Sequence, residues 1–112
     1  MSHQLSIDES TAGAHTVLAV TGEIDLATAP QLEARIGSHP GDGNILLDLS
    51  DVAFMDSTGL RLLIGAHERA KNDGGTFAVV APEGPVTKVL SITGVDEWLP
   101  VFETRAAATT DG

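Results

Sequence analysis

The chain has 112 residues, a formal net charge of -10 at pH 7 and no cysteine. This length suits one domain with an ordinary hydrophobic core, and the absence of cysteine excludes disulfides and cysteine-ligated metals. The acidic excess argues against nucleic acid and anionic membrane surfaces as partners, because both are bound through Lys and Arg. No apolar run reaches the length of a membrane span and residues 1–4 do not begin a signal peptide, so we expect a cytoplasmic protein.

Two strands are predicted near the N-terminus. Leu5 and Ile7 alternate with polar neighbours, as in a half-buried strand. A turn at residues 11–13 leads to a second apolar run at residues 17–20. So short a connection makes the two strands antiparallel neighbours.

The first helix is predicted to open at Thr28. Thr28 and Gln31 have the spacing of a capping box, and Gly37 and Pro40 mark the end of the helix. Residues 44–49 follow as an apolar run typical of a strand that is buried on both faces.

A tight turn and a long helix are predicted at residues 56–72. One helical face is apolar and is expected to pack on the sheet; it consists of Leu60, Leu63, Ile64, His67 and Ala70. Asp56 or Ser57 can cap the first amides of this helix. Gly59 is an unusual choice in a first turn, since Gly costs about 1 kcal/mol relative to Ala there. We therefore expect another backbone to come close to Gly59.

The C-terminal third predicts a fourth strand at residues 77–80, a helix over residues 85–94 and a short edge strand within residues 98–102. Thr104 is expected to cap a last helical turn, and residues 109–112 to fray. Strands that alternate with helices imply right-handed crossovers and mostly parallel pairing. The sequence therefore predicts a single α/β domain with a mixed sheet.

Four acidic residues, Asp25, Asp48, Asp51 and Asp56, leave two interpretations open. They could crowd one end of the sheet as a metal or acid–base cluster, or they could be solvated strand-end and capping acids, which we favour. No glycine-rich loop precedes a Lys–Ser or Lys–Thr pair, and Ser57 lacks the Gly-x-Ser-x-Gly frame of a nucleophile. For Ser57 itself, a plain helix cap and a functional hydroxyl remain equally open.

The central stretch, residues 54–60, reads Phe–Met–Asp–Ser–Thr–Gly–Leu and closely resembles the signature of the bacterial STAS-domain anti-sigma factor antagonists. Residues 22–25 with 28–30 resemble the second motif of that family, and residues 92–95 and 100–102 its C-terminal part. The resemblance covers nearly the whole chain, in order and at matching distances. It implies a STAS-like fold over residues 1–112, with a four- to five-stranded, mostly parallel sheet and helices packed on one side.

The same resemblance implies a binding protein that is not an enzyme and that has no catalytic residue, cofactor or metal. Ser57 matches the serine that is phosphorylated by the partner, an anti-sigma factor that is also a serine kinase. The unphosphorylated form would bind this partner and release the sigma factor, and a serine phosphatase would reset the switch. The implied partner-binding residues are Asp25, Asp56, Ser57, Thr58 and Gly59.

Two alternatives to this function remain. The chain could be a non-switching STAS subunit of a larger assembly, such as a lipid-transport complex or a stress-sensing particle, in which Ser57 only caps its helix. A small enzyme built on the acidic cluster is a more distant alternative.

Overall fold

The computed structural model describes residues 5–109, which form a five-stranded sheet and four α-helices. The elements in chain order are β1 Leu5–Ala12, β2 His15–Ile24, α1 Ala29–Gly37, β3 Asn44–Met55, α2 Ser57–Asp73, β4 Thr76–Val80, α3 Pro85–Thr93, a 3-10 turn Val95–Glu97, β5 Val101–Phe102 and α4 Arg105–Thr109. No helix in this part of the chain combines the length and hydropathy needed to cross a membrane. The predictions for residues 1–4 and 110–112 lie outside the described residues.

The five strands lie side by side in the order in which they occur along the chain. β1 and β2 are antiparallel, whereas β2–β3, β3–β4 and β4–β5 are all parallel pairs. The predicted mixed, mostly parallel sheet is thus confirmed, and β5 takes the predicted edge position. The carboxyl ends of four parallel strands therefore lie at one edge of the sheet, together with the loops that follow them.

β3 is longer than its apolar pattern predicts, because it continues past residues 44–49 to Met55. Its pairing with β4 ends at Asp48, but its pairing with β2 continues to Met55 through two register shifts. Continuous burial stops at Leu49. The apolar run therefore marks only the part of β3 that has neighbours on both faces and both edges.

The main hydrophobic core lies between one face of the sheet and helices α1, α2 and α3. Its fully buried side chains alternate along the strands and are joined by one leucine from each helix; they include Leu18, Leu47, Val79, Leu32, Leu63 and Leu90. The predicted apolar face of α2 is confirmed, with Leu63 and Ala70 buried and its other members half-buried. The spacing of apolar residues alone was sufficient to orient this helix.

The opposite face of the sheet carries a smaller cluster of Val17, Leu46 and Val80, against which Ala108 of α4 packs. Asp48 lies on this face and is only 7% exposed. Arg105 of α4 donates its Nε proton to Oδ2 of Asp48 at 2.5 Å. The expectation that the helices pack on one side therefore holds for α1–α3 but not for α4, which this ion pair attaches to the other face.

Helix α4 begins as predicted and ends later than predicted. The Thr104 hydroxyl oxygen accepts a hydrogen bond from the Ala107 amide at 3.1 Å, which confirms Thr104 as a cap. Thr109 was expected to fray, but it is the last residue of α4, and its hydroxyl donates to the Arg105 carbonyl at 2.9 Å.

The predicted capping box at the start of α1 is wrong. Thr28 occupies the N-cap position but makes no side-chain cap, because its hydroxyl donates to the Glu23 carbonyl at 2.7 Å. The Gln31 amide group donates instead to the Leu5 carbonyl at 3.1 Å. Both side chains therefore connect α1 to the strands before it, a use that local spacing does not predict.

Replacing Leu63 by Ala should destabilise the domain by about 2–5 kcal/mol, since the Leu63 side chain is completely buried against the sheet. Urea denaturation measures this change in the free energy of unfolding. The matched control is Ile92→Ala, because the Ile92 side chain is 83% exposed and its loss should cost less than about 0.5 kcal/mol. Equal midpoints for Leu63→Ala and the parent would contradict the packing of α2.

The Asp48–Arg105 pair predicts a pH-dependent contribution to stability. Burial raises the pKa of Asp48, but hydrogen bonds from Ser50 and Arg105 outweigh burial and hold the pKa below the ordinary value of 3.8. A carboxylate with a lowered folded-state pKa stabilises the fold above pH 3.8, and this stability is lost as the pH falls through the folded-state pKa.

We therefore expect Arg105→Gln to lower the free energy of unfolding by about 1 kcal/mol at neutral pH, and by progressively less in acid. Urea denaturation across the acid range measures this difference. The control is Arg35→Gln, whose partner Glu9 is well exposed, so the effect should be small at every pH. A deficit in Arg105→Gln that persists unchanged in strong acid would disprove the assignment.

Candidate functional site

The junction between β3 and α2 is built around the carboxylate of Asp56. Asp56 has an extended backbone, and its Oδ1 atom accepts hydrogen bonds from the amides of Thr58 at 2.9 Å and Gly59 at 3.3 Å. Of the two predicted caps, Asp56 is therefore the one that satisfies the first amides of α2.

Ser57 is the first residue of α2 and is exposed. Within residues 5–109 its hydroxyl makes no hydrogen bond, because Asp56 already satisfies the nearby amides. The plain-cap interpretation of Ser57 is thereby excluded, and an exposed hydroxyl remains at the positive end of a helix of 17 residues.

Gly59 is buried, but the prediction that another backbone comes close to it is wrong. A Cβ atom at this position would lie 2.5 Å from Cγ of Met55 and 2.8 Å from Cγ2 of Ile24. The close contacts are thus side chains of the same domain and not the backbone of another segment. Gly59 allows the first turn of α2 to lie directly on the ends of β2 and β3, beneath the exposed surface.

Asp25 holds the loop that leads from β2 into α1. Its Oδ1 atom accepts hydrogen bonds from the amides of Ala27 at 3.0 Å and Thr28 at 3.1 Å. The hydroxyl oxygen of Thr28 accepts in turn from the Asp25 amide at 3.0 Å. Asp25 is therefore first a turn-forming residue, with its side chain half-buried.

One backbone hydrogen bond brings the two predicted motifs together. The Asp56 amide donates to the Ile24 carbonyl at 3.2 Å, and Ile24 is paired in register with Met55. Asp25 and Asp56 therefore follow neighbouring strand ends. The site consequently combines the β2–α1 loop with the start of α2.

A surface groove that sequence patterns did not predict adjoins this site. It has a volume of about 300 Å³, and its lining includes Leu26, Thr58 and Arg61. It shares Glu33, Arg61 and Leu62 with a second groove of about 420 Å³ between α1 and α2. Leu26 is 76% exposed, and a leucine in the turn between β2 and α1 was the signal available in the sequence.

The alternative acidic cluster does not form within the described residues. Asp48 lies on the other face of the sheet and bonds to Ser50 and Arg105, whereas Asp25 and Asp56 act as turn and cap. In residues 5–109 no three His, Asp or Glu side chains are grouped as metal ligands. His67 packs against Trp98 with ring centroids 5.3 Å apart, which confirms it as a packing residue.

Comparisons with known proteins identify the family of this chain. The family model described as STAS domain matches residues 6–108. An anti-sigma-F factor antagonist, RsfB of Mycobacterium tuberculosis, is 35% identical over 96 residues, which cover 84% of this chain and 78% of that protein. An anti-sigma-B factor antagonist of Staphylococcus aureus is 29% identical and covers 88% of this chain and 94% of its own length.

A solved structure extends this similarity to three dimensions. The crystal structure of an anti-sigma factor antagonist from Mycobacterium paratuberculosis superposes with a TM-score of 0.88 at 33% identity. The match covers 96% of this chain and 93% of that one.

Two glycines of α2 test the packing beneath the site. Gly59→Ala should destabilise the domain by about 1–3 kcal/mol, because Met55 and Ile24 must move and overpacking outweighs the gain in helix propensity. Gly65→Ala is the matched control, since a Cβ atom there meets nothing within 4 Å, and it should stabilise α2 by about 0.5–1 kcal/mol. Urea denaturation of both variants gives the comparison, and changes of the same sign would contradict the close packing of Gly59.

Proposed function

The chain belongs to the STAS-domain family, and we propose that it is an anti-sigma factor antagonist whose binding is switched by phosphorylation of Ser57. The unphosphorylated protein binds an anti-sigma factor and releases the sigma factor that this partner holds. The anti-sigma factor acts as the serine kinase, and a serine phosphatase restores the binding form. The chain itself acts in the cytoplasm as a binding protein and not as an enzyme.

The observation that carries this proposal is the exposed Ser57 hydroxyl. Asp56 satisfies the amides of Thr58 and Gly59, so Ser57 can be modified without the loss of a cap. Thr58 is half-buried and lies one step further into the helix, where a kinase has less access to its hydroxyl. Ser57 is therefore the proposed acceptor, and Asp25, Asp56 and Thr58 form the surrounding contact surface, with Gly59 supporting it from below.

A phosphate on Ser57 is not expected to unfold the domain. The positive end of the helix dipole attracts anions to a helix N-terminus, and such a charge contributes about 0.3–1 kcal/mol. The effect of phosphorylation must therefore fall on partner binding.

The proposed mechanism is charge burial at the interface. The phosphate adds a charge of about -1.5 to -2 beside Asp56, at a surface that the partner covers. Arg61, one helical turn beyond Ser57, is exposed, and such a pair within a helix contributes only about 0.2–0.5 kcal/mol. A covered charge without a close partner costs several kcal/mol, and about 3–4 kcal/mol weakens binding a few hundred-fold.

Substitutions of Ser57 test the switch. Ser57→Ala should abolish labelling by the partner kinase with ATP, yet bind the anti-sigma factor as the parent does. Ser57→Asp should fold normally but bind the anti-sigma factor far more weakly, because it places a permanent charge at the interface. Mass spectrometry of the labelled protein, thermal melts and calorimetric titrations with the partner measure the three quantities.

Thr58→Val removes the neighbouring hydroxyl, and mass spectrometry should still find the phosphate on Ser57 in this variant. Full labelling of Ser57→Ala would move the acceptor elsewhere. A Ser57→Asp variant that binds as tightly as the parent, or that melts many degrees lower, would refute charge burial as the mechanism.

A further inference from the structure

The outer edge of β5 is open. The Val79 amide donates to the Pro100 carbonyl at 3.0 Å, and the Ala81 amide donates to the Phe102 carbonyl at 2.8 Å. Because backbone groups alternate in direction along a strand, the N–H and C=O of Val101 point away from β4. Among residues 5–109 no strand pairs with this side of β5. An unpaired edge of this kind can accept an added strand.

A groove of about 650 Å³ runs beside this edge, between β5 and α3. It is larger than the grooves of about 420 and 300 Å³ next to α1. Leu90 and Ala81, both almost completely buried, form apolar parts of its lining, and the side chain of Val101 packs on the core beside them. The groove therefore offers an apolar floor next to open backbone groups.

The rim of this groove is acidic. Glu83, Asp96 and Glu103 are exposed there, and among the described residues Lys88 is the one cationic side chain in its lining. The groove of about 420 Å³ between α1 and α2 has the opposite balance, with Arg61 and Arg69 against Glu33. The acidity at β5 is thus a local property and does not simply follow from the net charge of the chain.

We propose that the groove between α3 and β5, called here the β5 groove, binds an extended, Lys- or Arg-rich segment of a partner protein. The segment would add to the sheet as a strand beside Val101, and its cationic side chains would meet the three rim carboxylates. A second copy of this chain fits poorly, because its net charge of -10 would be repelled by the same carboxylates. The proposal does not depend on the role of Ser57, which follows β3 and not β5.

The test uses the full chain and two synthetic peptides. The probe is a capped heptapeptide of alternating lysine and valine. The second peptide has the same sequence with every backbone amide N-methylated, so its backbone cannot donate hydrogen bonds. In amide NMR titrations at low salt, the probe should shift the signals of Val101 and Glu103 and leave that of Ser57 unchanged. The N-methylated peptide should bind at least about tenfold more weakly, because strand pairing needs those donors.

Matched charge variants distinguish a specific site from general attraction to an acidic protein. The triple variant Glu83→Gln, Asp96→Asn, Glu103→Gln should lower the affinity for the probe about tenfold or more at low salt. The control triple Glu33→Gln, Asp42→Asn, Glu68→Gln changes the net charge equally but lies outside the β5 groove, and it should keep the affinity within about twofold.

Four outcomes would overturn the proposal. The first is that millimolar probe shifts no amide signal, and the second is that both triple variants lose affinity for the probe equally. The third is that the N-methylated peptide binds as tightly as the probe. The fourth is that the Val101 signal shifts when the protein alone is concentrated. The last outcome would identify a second copy of this chain as the occupant.

Discussion

The turn from β3 into α2 is the constraint on which the candidate site depends. A strand that ends at Met55 and a helix that begins at Ser57 leave one residue, Asp56, to reverse the course of the chain. The Asp56 carboxylate stabilises this turn as a cap, an interaction that typically contributes about 0.5–2 kcal/mol. Since Gly59 has no side chain, the first helical turn lies close against Ile24. The exposure of the Ser57 hydroxyl is a consequence of this packing.

Much of the fold could be predicted because it follows from local periodicity. The apolar spacing around Leu63 oriented α2, the continuous apolar run around Leu47 located a strand buried on both faces, and Gly74 and Gly94 close their helices with positive φ. The Asp–Ser pair at residues 56–57 also identified the correct helix start. Each of these signals comes from residues that are close together in the sequence.

The features that sequence did not predict depend on residues far apart in the chain. Gln31 bonds to Leu5 and not to its own helix end, and Arg105 bonds to Asp48 across the sheet. Nothing in the neighbourhood of Arg105 indicates an acid on β3, so the position of α4 on the second face could not be derived. The close contacts of Gly59 required the register of β2 against β3, which apolar spacing does not supply.

The arrangement of charge has a further consequence for a domain with so few cations. Arg69 donates to the carbonyl of His39 at 2.8 Å and lies 4.0 Å from Asp73, so it is committed to holding the end of α1 against α2. Arg105 is likewise committed to Asp48. These two cations are thus engaged by groups other than Asp25, Asp56 and Glu103, which follow their strands at the carboxyl edge of the sheet. An added anion near Ser57 is favoured by the dipole of α2 while it is in water. Once a partner excludes the solvent, the anion meets little compensating positive charge from this chain. The proposed switch therefore requires no change of fold, because the same position favours phosphate in the free protein and opposes it in a complex.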